Sequence, residues 1–156
     1  VNLGSLMLTS VERLLFVRGV PIFQQLRDDF LVQLAAVMEE LIFVQGEEIL
    51  IEGEEERSLY ILVTGRVELH SCGQELGQLE AGATFGEMAL FEAQVRSAGV
   101  IALVDCTCLV LTQSQFYDAI EANPSAAISM IRLLARRIRQ LSEPVRRNSR
   151  LNYTVF

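Results

Sequence analysis

Lysine is absent from this chain, and all 13 of its cationic residues are arginine. Histidine occurs once, at His70, inside a predicted strand with no nucleophile signature nearby, and is taken as an ordinary sheet residue. Three cysteines, Cys72, Cys106 and Cys108, are odd in number and lack metal-ligand spacing, which favours reduced thiols of a cytoplasmic protein. Cys106 and Cys108 stand two apart and so share one strand face as small buried side chains. No nucleophile–base pair, paired-carboxylate site or dinucleotide fingerprint occurs, which argues against an enzyme. No apolar run approaches the ~20 residues that span a bilayer, although 51% of residues are hydrophobic and the mean hydropathy is +0.32. A basic signal-peptide start is missing too, and the first residue is Val1 rather than Met, as expected of a segment excised from something larger.

What is present is unevenly charged. Residues 1–124 carry 19 acidic residues and 6 Arg, whereas residues 125–156 carry 7 Arg and only Glu143. The acidic body argues against direct nucleic-acid binding. The basic segment fits a solvated helix face with favourable charges near its C-terminus. At 156 residues the chain makes one domain, burying about two-thirds of its extended surface.

The periodicity changes twice along the chain, giving helices, then strands, then helices. Thr9-Ser10-Val11-Glu12 has capping-box spacing and opens an apolar stretch through Val17, broken by Gly19 and Pro21. Residues Asp28 to Glu40 carry Phe30, Leu34, Val37 and Met38 at helical spacing, closing an N-terminal helical segment at 1–40. From 41 to 113 the pattern is short and alternating, with Ile49/Ile51, Leu59/Ile61/Val63, Val67/Leu69 and Cys106/Cys108/Val110 separated by glycine turns. This predicts an α+β fold, an antiparallel β-sandwich or jelly roll (double-stranded β-helix) flanked by N-terminal helices and a long C-terminal helix. Helices are expected over 114–143, with Ser114 as a cap and Asn123-Pro124 dividing them. Pro144 is expected to limit the last one and leave a polar tail at 144–156, in which Arg146-Arg147-Asn148-Ser149 resembles a basic kinase recognition site, a short match common by chance. On that last helix Ala127, Ile131, Leu134, Ile138 and Leu141 alternate at spacings of four and three, a coiled-coil seam for a homodimer through 125–143. Met130 and Leu133 form a second stripe, available for packing on the sandwich.

The segment from Phe85 to Ala98 carries the chemistry. Arg96 is the only cation between Arg66 and Arg132, and an apolar strand-like run follows it. A buried guanidinium needs an anion. No carboxylate stands at helical or cross-strand spacing from it, so phosphate is the expected mate. Gly86 allows a tight turn, and Glu87 to Phe91 make about one helical turn, whose first amides form an anion cradle. Arg96 adds a planar fork of donors. Glu87 suits a sugar hydroxyl beside the phosphate. The four acids Glu52, Glu54, Glu55 and Glu56 fit a solvated loop, since they lack EF-hand spacing.

Phe85-Gly86-Glu87-Met88-Ala89-Leu90, followed by Val95-Arg96-Ser97-Ala98, resembles the phosphate-binding cassette of the cyclic nucleotide-binding domain, the sensor module of bacterial catabolite activators and protein kinase A regulatory subunits. Gln45-Gly46-Glu47, Glu52-Gly53-Glu54, Ser58 to Val67 and Leu76 to Gly82 resemble the same family's framework, and the likeness runs roughly from Leu14 to Glu143. The resemblance implies a ligand site of Gly86, Glu87, Met88, Ala89, Arg96, Ser97 and Ala98. In it Glu87 accepts the ribose 2′-hydroxyl, and Arg96 with the amides of Ala89 and Ser97 binds the cyclic phosphate. Ala93 and Val95 depart from a frequent Gly and Pro, and Glu56-Arg57 from a frequent Gly-Asp. Leu141 and Ser142 fall where the closing helix meets the base.

The resemblance implies a regulatory module that binds cAMP in preference to cGMP, uses no separate cofactor and relays its signal to the C-terminal helix. Only twelve residues follow Pro144, so the effector domain or partner is expected outside this chain. The competing reading is a ligand-free protein–protein interaction or dimerisation domain of the same fold.

Overall fold

The computed structural model describes residues 7–92 and 95–148, the last six as backbone only. Two helices come first, α1 (Ser10–Arg18) and α2 (Asp28–Val37), joined through a 3-10 turn at Pro21–Phe23. Thr9 caps α1 with the expected box: its hydroxyl accepts from the Glu12 amide, and the Glu12 carboxylate accepts from Thr9 N–H at 2.8 Å. Helix α2 stops three residues before the expected Glu40, because Glu39 already belongs to the first strand. Cross-strand pairing there overrides the helical spacing of Met38.

Eight strands form two antiparallel sheets. In chain order they are β1 (Glu39–Phe43), β2 (Glu48–Leu50), β3 (Ser58–Thr64), β4 (Arg66–Ser71), β5 (Gln74–Glu80), β6 (Thr84–Phe85), β7 (Gly99–Ala102) and β8 (Cys106–Thr112). One sheet runs β1-β8-β3-β6 and the other β2-β7-β4-β5, the double-layered jelly roll expected from the alternation. At the β3–β4 turn Gly65 has φ +100°, and a Cβ there would lie 2.5 Å from Cys106 Sγ, so only glycine fits.

The central strands of the first sheet, β3 and β8, are covered on both sides. Leu59, Ile61, Val63, Leu109 and Leu111 pack against Phe23, Leu31 and Leu34 of the helical layer, while Tyr60, Leu62, Cys108 and Val110 face the second sheet. Burial on both faces explains why β3 is a continuous apolar run rather than an alternating one.

Helices α3 (Gln113–Ala122) and α4 (Pro124–Asn148) close the chain. The cap of α3 is Thr112, in a capping box with Gln115, rather than Ser114; the strand ends one residue earlier than the spacing implied, so the box starts at its last threonine. Nor does α4 stop at Pro144: it continues to Asn148, since proline removes one i→i−4 bond without forbidding the φ of a helix. Ser149 and the rest of the tail lie outside the described residues. The two stripes of α4 separate as expected, with Met130 and Leu133 buried and Ile131, Leu134, Ile138 and Leu141 exposed.

Candidate functional site

The two sheets do not fill the space between them. A cavity of about 530 Å³ opens beside β6, and Gly86, Glu87, Met88, Ala89, Arg96, Ser97 and Ala98 all line it. The seven expected residues are thus brought to one cavity. Its lining also includes Phe85 and the apolar Leu50, Leu69, Leu79, Val95 and Val100, and its polar members are Thr84, Glu87, Arg96 and Ser97.

The polar part of the lining begins where β6 ends. Gly86 sits at φ +81°, and a Cβ on it would stand 2.6 Å from Ser58 O and 2.7 Å from Arg96 Nη1. Glycine is thus required both by conformation and by the guanidinium against it. A 3-10 helix follows over Glu87–Leu90, with Ala89 and Leu90 buried and Met88 exposed. Ala89 N–H, expected to face a ligand, closes this turn by donating to Gly86 O at 3.1 Å. Thr84 Oγ1 donates to Glu87 Oε1 at 2.6 Å, which fixes that carboxylate at the cavity wall.

Arg96 is held through backbone and side chain by the same acidic turn. Its N–H donates to Glu54 O, and its carbonyl accepts from Gly53 N–H, both at 2.9 Å. Its Nη2 donates to Glu56 Oε2 at 2.6 Å and to Ser58 O at 2.8 Å, and the side chain is only 9% exposed. The expectation that no carboxylate partners Arg96 is therefore corrected: Glu56 does. The pairing crosses forty residues between two turns, where neither helical nor strand periodicity applies. The available signal was Glu56 itself, standing where the framework usually has another residue. The solvated-loop reading fails at this glutamate for the same reason.

Glu56 is further oriented by Tyr60, whose hydroxyl donates to Oε1 at 2.8 Å. Burial first, then this carboxylate, raises the Tyr60 pKa well above the usual phenol range, so the hydroxyl stays a donor. Its ring stacks on Phe85 with centroids 5.2 Å apart. One polar atom is left over. Arg96 Nε is buried and has no hydrogen-bond partner among the described residues. A buried unpaired donor on a cation is costly, and an acceptor reaching it from the cavity would relieve that cost.

The other candidates stay apart from the cavity. Leu141 is 76% exposed, and neither it nor Ser142 lines the cavity. His70 lies in β4 with its ring against Gly99 of β7, and its Nε2 is buried without a hydrogen-bond partner among the described residues. Cys106 and Cys108 are buried in β8 and unbridged, as expected; burial, then Cys106, pushes the Cys108 thiol up to about 12. Glu52 accepts from Cys72 N–H and Ser71 Oγ, and those bonds hold its carboxyl below the ordinary range. Among the described residues no group of acids, histidine and cysteines has the arrangement of a metal site, and no helix is long and apolar enough to cross a membrane.

Comparison with known proteins places the chain in a family. A family model described as "Cyclic nucleotide-binding domain" matches residues 40–123. The "Cyclic AMP receptor protein" of Thermus thermophilus is 32% identical over 128 residues, covering 79% of this chain and 59% of that protein. The human "cGMP-dependent protein kinase 2" is 33% identical over 112 residues, 67% of this chain and 15% of the kinase. The chain therefore spans less than two-thirds of either relative. Among solved structures, the N-terminal domain of a transcriptional regulator from Streptomyces coelicolor A3(2) superposes with a TM-score of 0.77 at 27% identity, covering 82% of this chain and 95% of that one.

Proposed function

The chain belongs to the cyclic nucleotide-binding domain family, and we propose that it is a non-catalytic sensor of a cyclic mononucleotide, cAMP in preference to cGMP. The observation that carries this reading is Arg96, buried in the cavity wall with its Nε–H lacking an acceptor among the described residues. The cyclic phosphate takes that donor and the amide of Ser97. Reaching the Ala89 amide requires sharing or replacing its bond to Gly86 O. Glu87, oriented by Thr84, accepts the ribose 2′-hydroxyl. The base lies along the apolar lining.

Signal passes from the 87–90 turn to α4, and the exposed seam Ile131–Leu134–Ile138–Leu141 carries a homodimer. The effector sits beyond this chain or on a partner, in a reducing cytoplasm. Ligand drives the change only to the extent that it binds the shifted state better.

Calorimetric titration with cAMP and cGMP tests this. Wild type binds saturably, and Arg96→Ala weakens binding by about 2–4 kcal/mol, the cost of truncating one partner of a buried charged pair. Arg96→Lys retains charge and fold but loses the planar fork, so it too binds more weakly. Equal affinity in wild type and both variants sinks the assignment.

A second reading has its own observation. Glu56 already neutralises Arg96 inside the chain, which suits a ligand-free interaction domain. Absence of heat and of thermal stabilisation with either nucleotide, from folded protein, selects that reading.

A further inference from the structure

Gln113 belongs to none of the motifs above, yet it touches both supports of the candidate phosphate site. Its side-chain Nε2 donates to Ala89 O at 3.0 Å and Leu90 O at 3.4 Å, the last carbonyls of the 87–90 turn. Its backbone N–H donates to Arg57 O at 2.8 Å. Arg57 lies between Glu56 and Ser58, the two residues that hold Arg96 Nη2. One side chain and one amide thus tie the turn and the arginine's mooring to a single residue.

That residue is the first of α3. Three positions on, Phe116 is buried, with its ring centroid 5.8 Å from that of Phe91 and 6.1 Å from that of Phe23. At its far end α3 runs into Asn123, which precedes α4 directly. A movement of the turn toward a bound anion stretches bonds made to backbone carbonyls, which lack the slack of side-chain partners. The bonds either break or draw the start of α3 along.

We propose that Gln113 is a positioning residue that couples occupancy of the Arg96 cavity to the orientation of α3 and α4. This rests on the nucleotide-sensor reading of that cavity. The shared apolar core of Leu90 and Phe116 supplies cohesion, which is non-directional; the Gln113 bonds supply direction, because they fix which carbonyls α3 follows.

The test separates binding from coupling. Gln113→Glu removes the donors while keeping side-chain length, and an acid in the first turn of a helix is well tolerated. Spin labels are placed on Gln74→Cys and Arg139→Cys, both exposed, in a Cys72→Ser background. Doubly labelled protein is diluted into unlabelled chain, and distances are read with and without saturating cAMP.

Wild type is expected to shift its label distance. Gln113→Glu is expected to keep saturable binding but lose most of the shift, and the donor-bearing Gln113→Lys to restore it. A merely structural role would lower the melting temperature of Gln113→Glu and leave the shift at saturation intact, which overturns the proposal and spares the site. A wild type that binds without any shift overturns it as well. No binding of cAMP or cGMP by wild type removes the sensor reading and the proposal together. Hydrogen exchange on the unmutated chain gives a check independent of any variant's folding: amides of 113–116 should change protection together with those of 87–90, and a change confined to 87–90 refutes the coupling.

Discussion

The two faces of β3 meet different interiors. Leu59, Ile61 and Val63 look toward the helices, where Phe23, Leu31, Leu34, Leu90 and Phe116 close a continuous core. Tyr60 and Leu62 look across the sandwich, where Phe85, Val100 and Leu50 pack beside a cavity. The chain crosses from one interior to the other between Phe85 and Leu90, and that short crossing carries Gly86 and Glu87. A core filled to its boundary transmits displacement, whereas a core with a cavity accepts a guest. Stability and ligand response should therefore divide between the two faces.

The strongest way to break that division is Phe116→Ala. Its ring lies between those of Phe23 and Phe91, so truncation should cost about 3–5 kcal/mol in denaturant unfolding. Loss of nucleotide affinity without loss of stability would show that the helix side is not the structural core. Gly86→Ala comes next. A left-handed alanine pressed against Ser58 O and Arg96 should cost about 2 kcal/mol and displace the guanidinium, so stability and affinity fall together. Smaller again is Tyr60→Phe, which keeps the stack on Phe85 and removes only the hydroxyl given to Glu56. About 1 kcal/mol of stability should go, with less effect on affinity than Arg96→Ala; an effect as large as that of Arg96→Ala would make Tyr60 part of the ligand site.

The same division explains what could be learned before the coordinates. The alternation of Val67/Leu69 and Cys106/Cys108/Val110 pointed to the sandwich, because side chains two apart share one face of a strand, although β8 is buried on both faces. The cassette residues were legible because Gly86, Glu87 and Arg96 have spacing as well as chemistry. Glu56 was not legible as the partner of Arg96, since a contact between two turns leaves no periodic trace. Gln113 was hidden for a different reason: its partners are backbone carbonyls, which carry no residue identity. The ends of α2 and α4 were misplaced where local preference met a competing strand or a tolerated proline.

Least effect on the fold is expected from Ile138→Glu, which sharpens the comparison at its outer edge. Ile138 is 64% exposed on α4, outside the stripe of the buried Met130 and Leu133. Neither interior loses a contact there, so unfolding of the isolated chain should change by no more than about 0.5 kcal/mol. A seam used between copies would respond otherwise, because a glutamate at a central coiled-coil position sets two carboxylates against each other in an apolar contact. Sedimentation equilibrium should then show a dimer in wild type and a monomer in the variant. A chain that is monomeric in both would leave the exposed stripe without a partner copy, and α4 would report on the cavity through α3 alone.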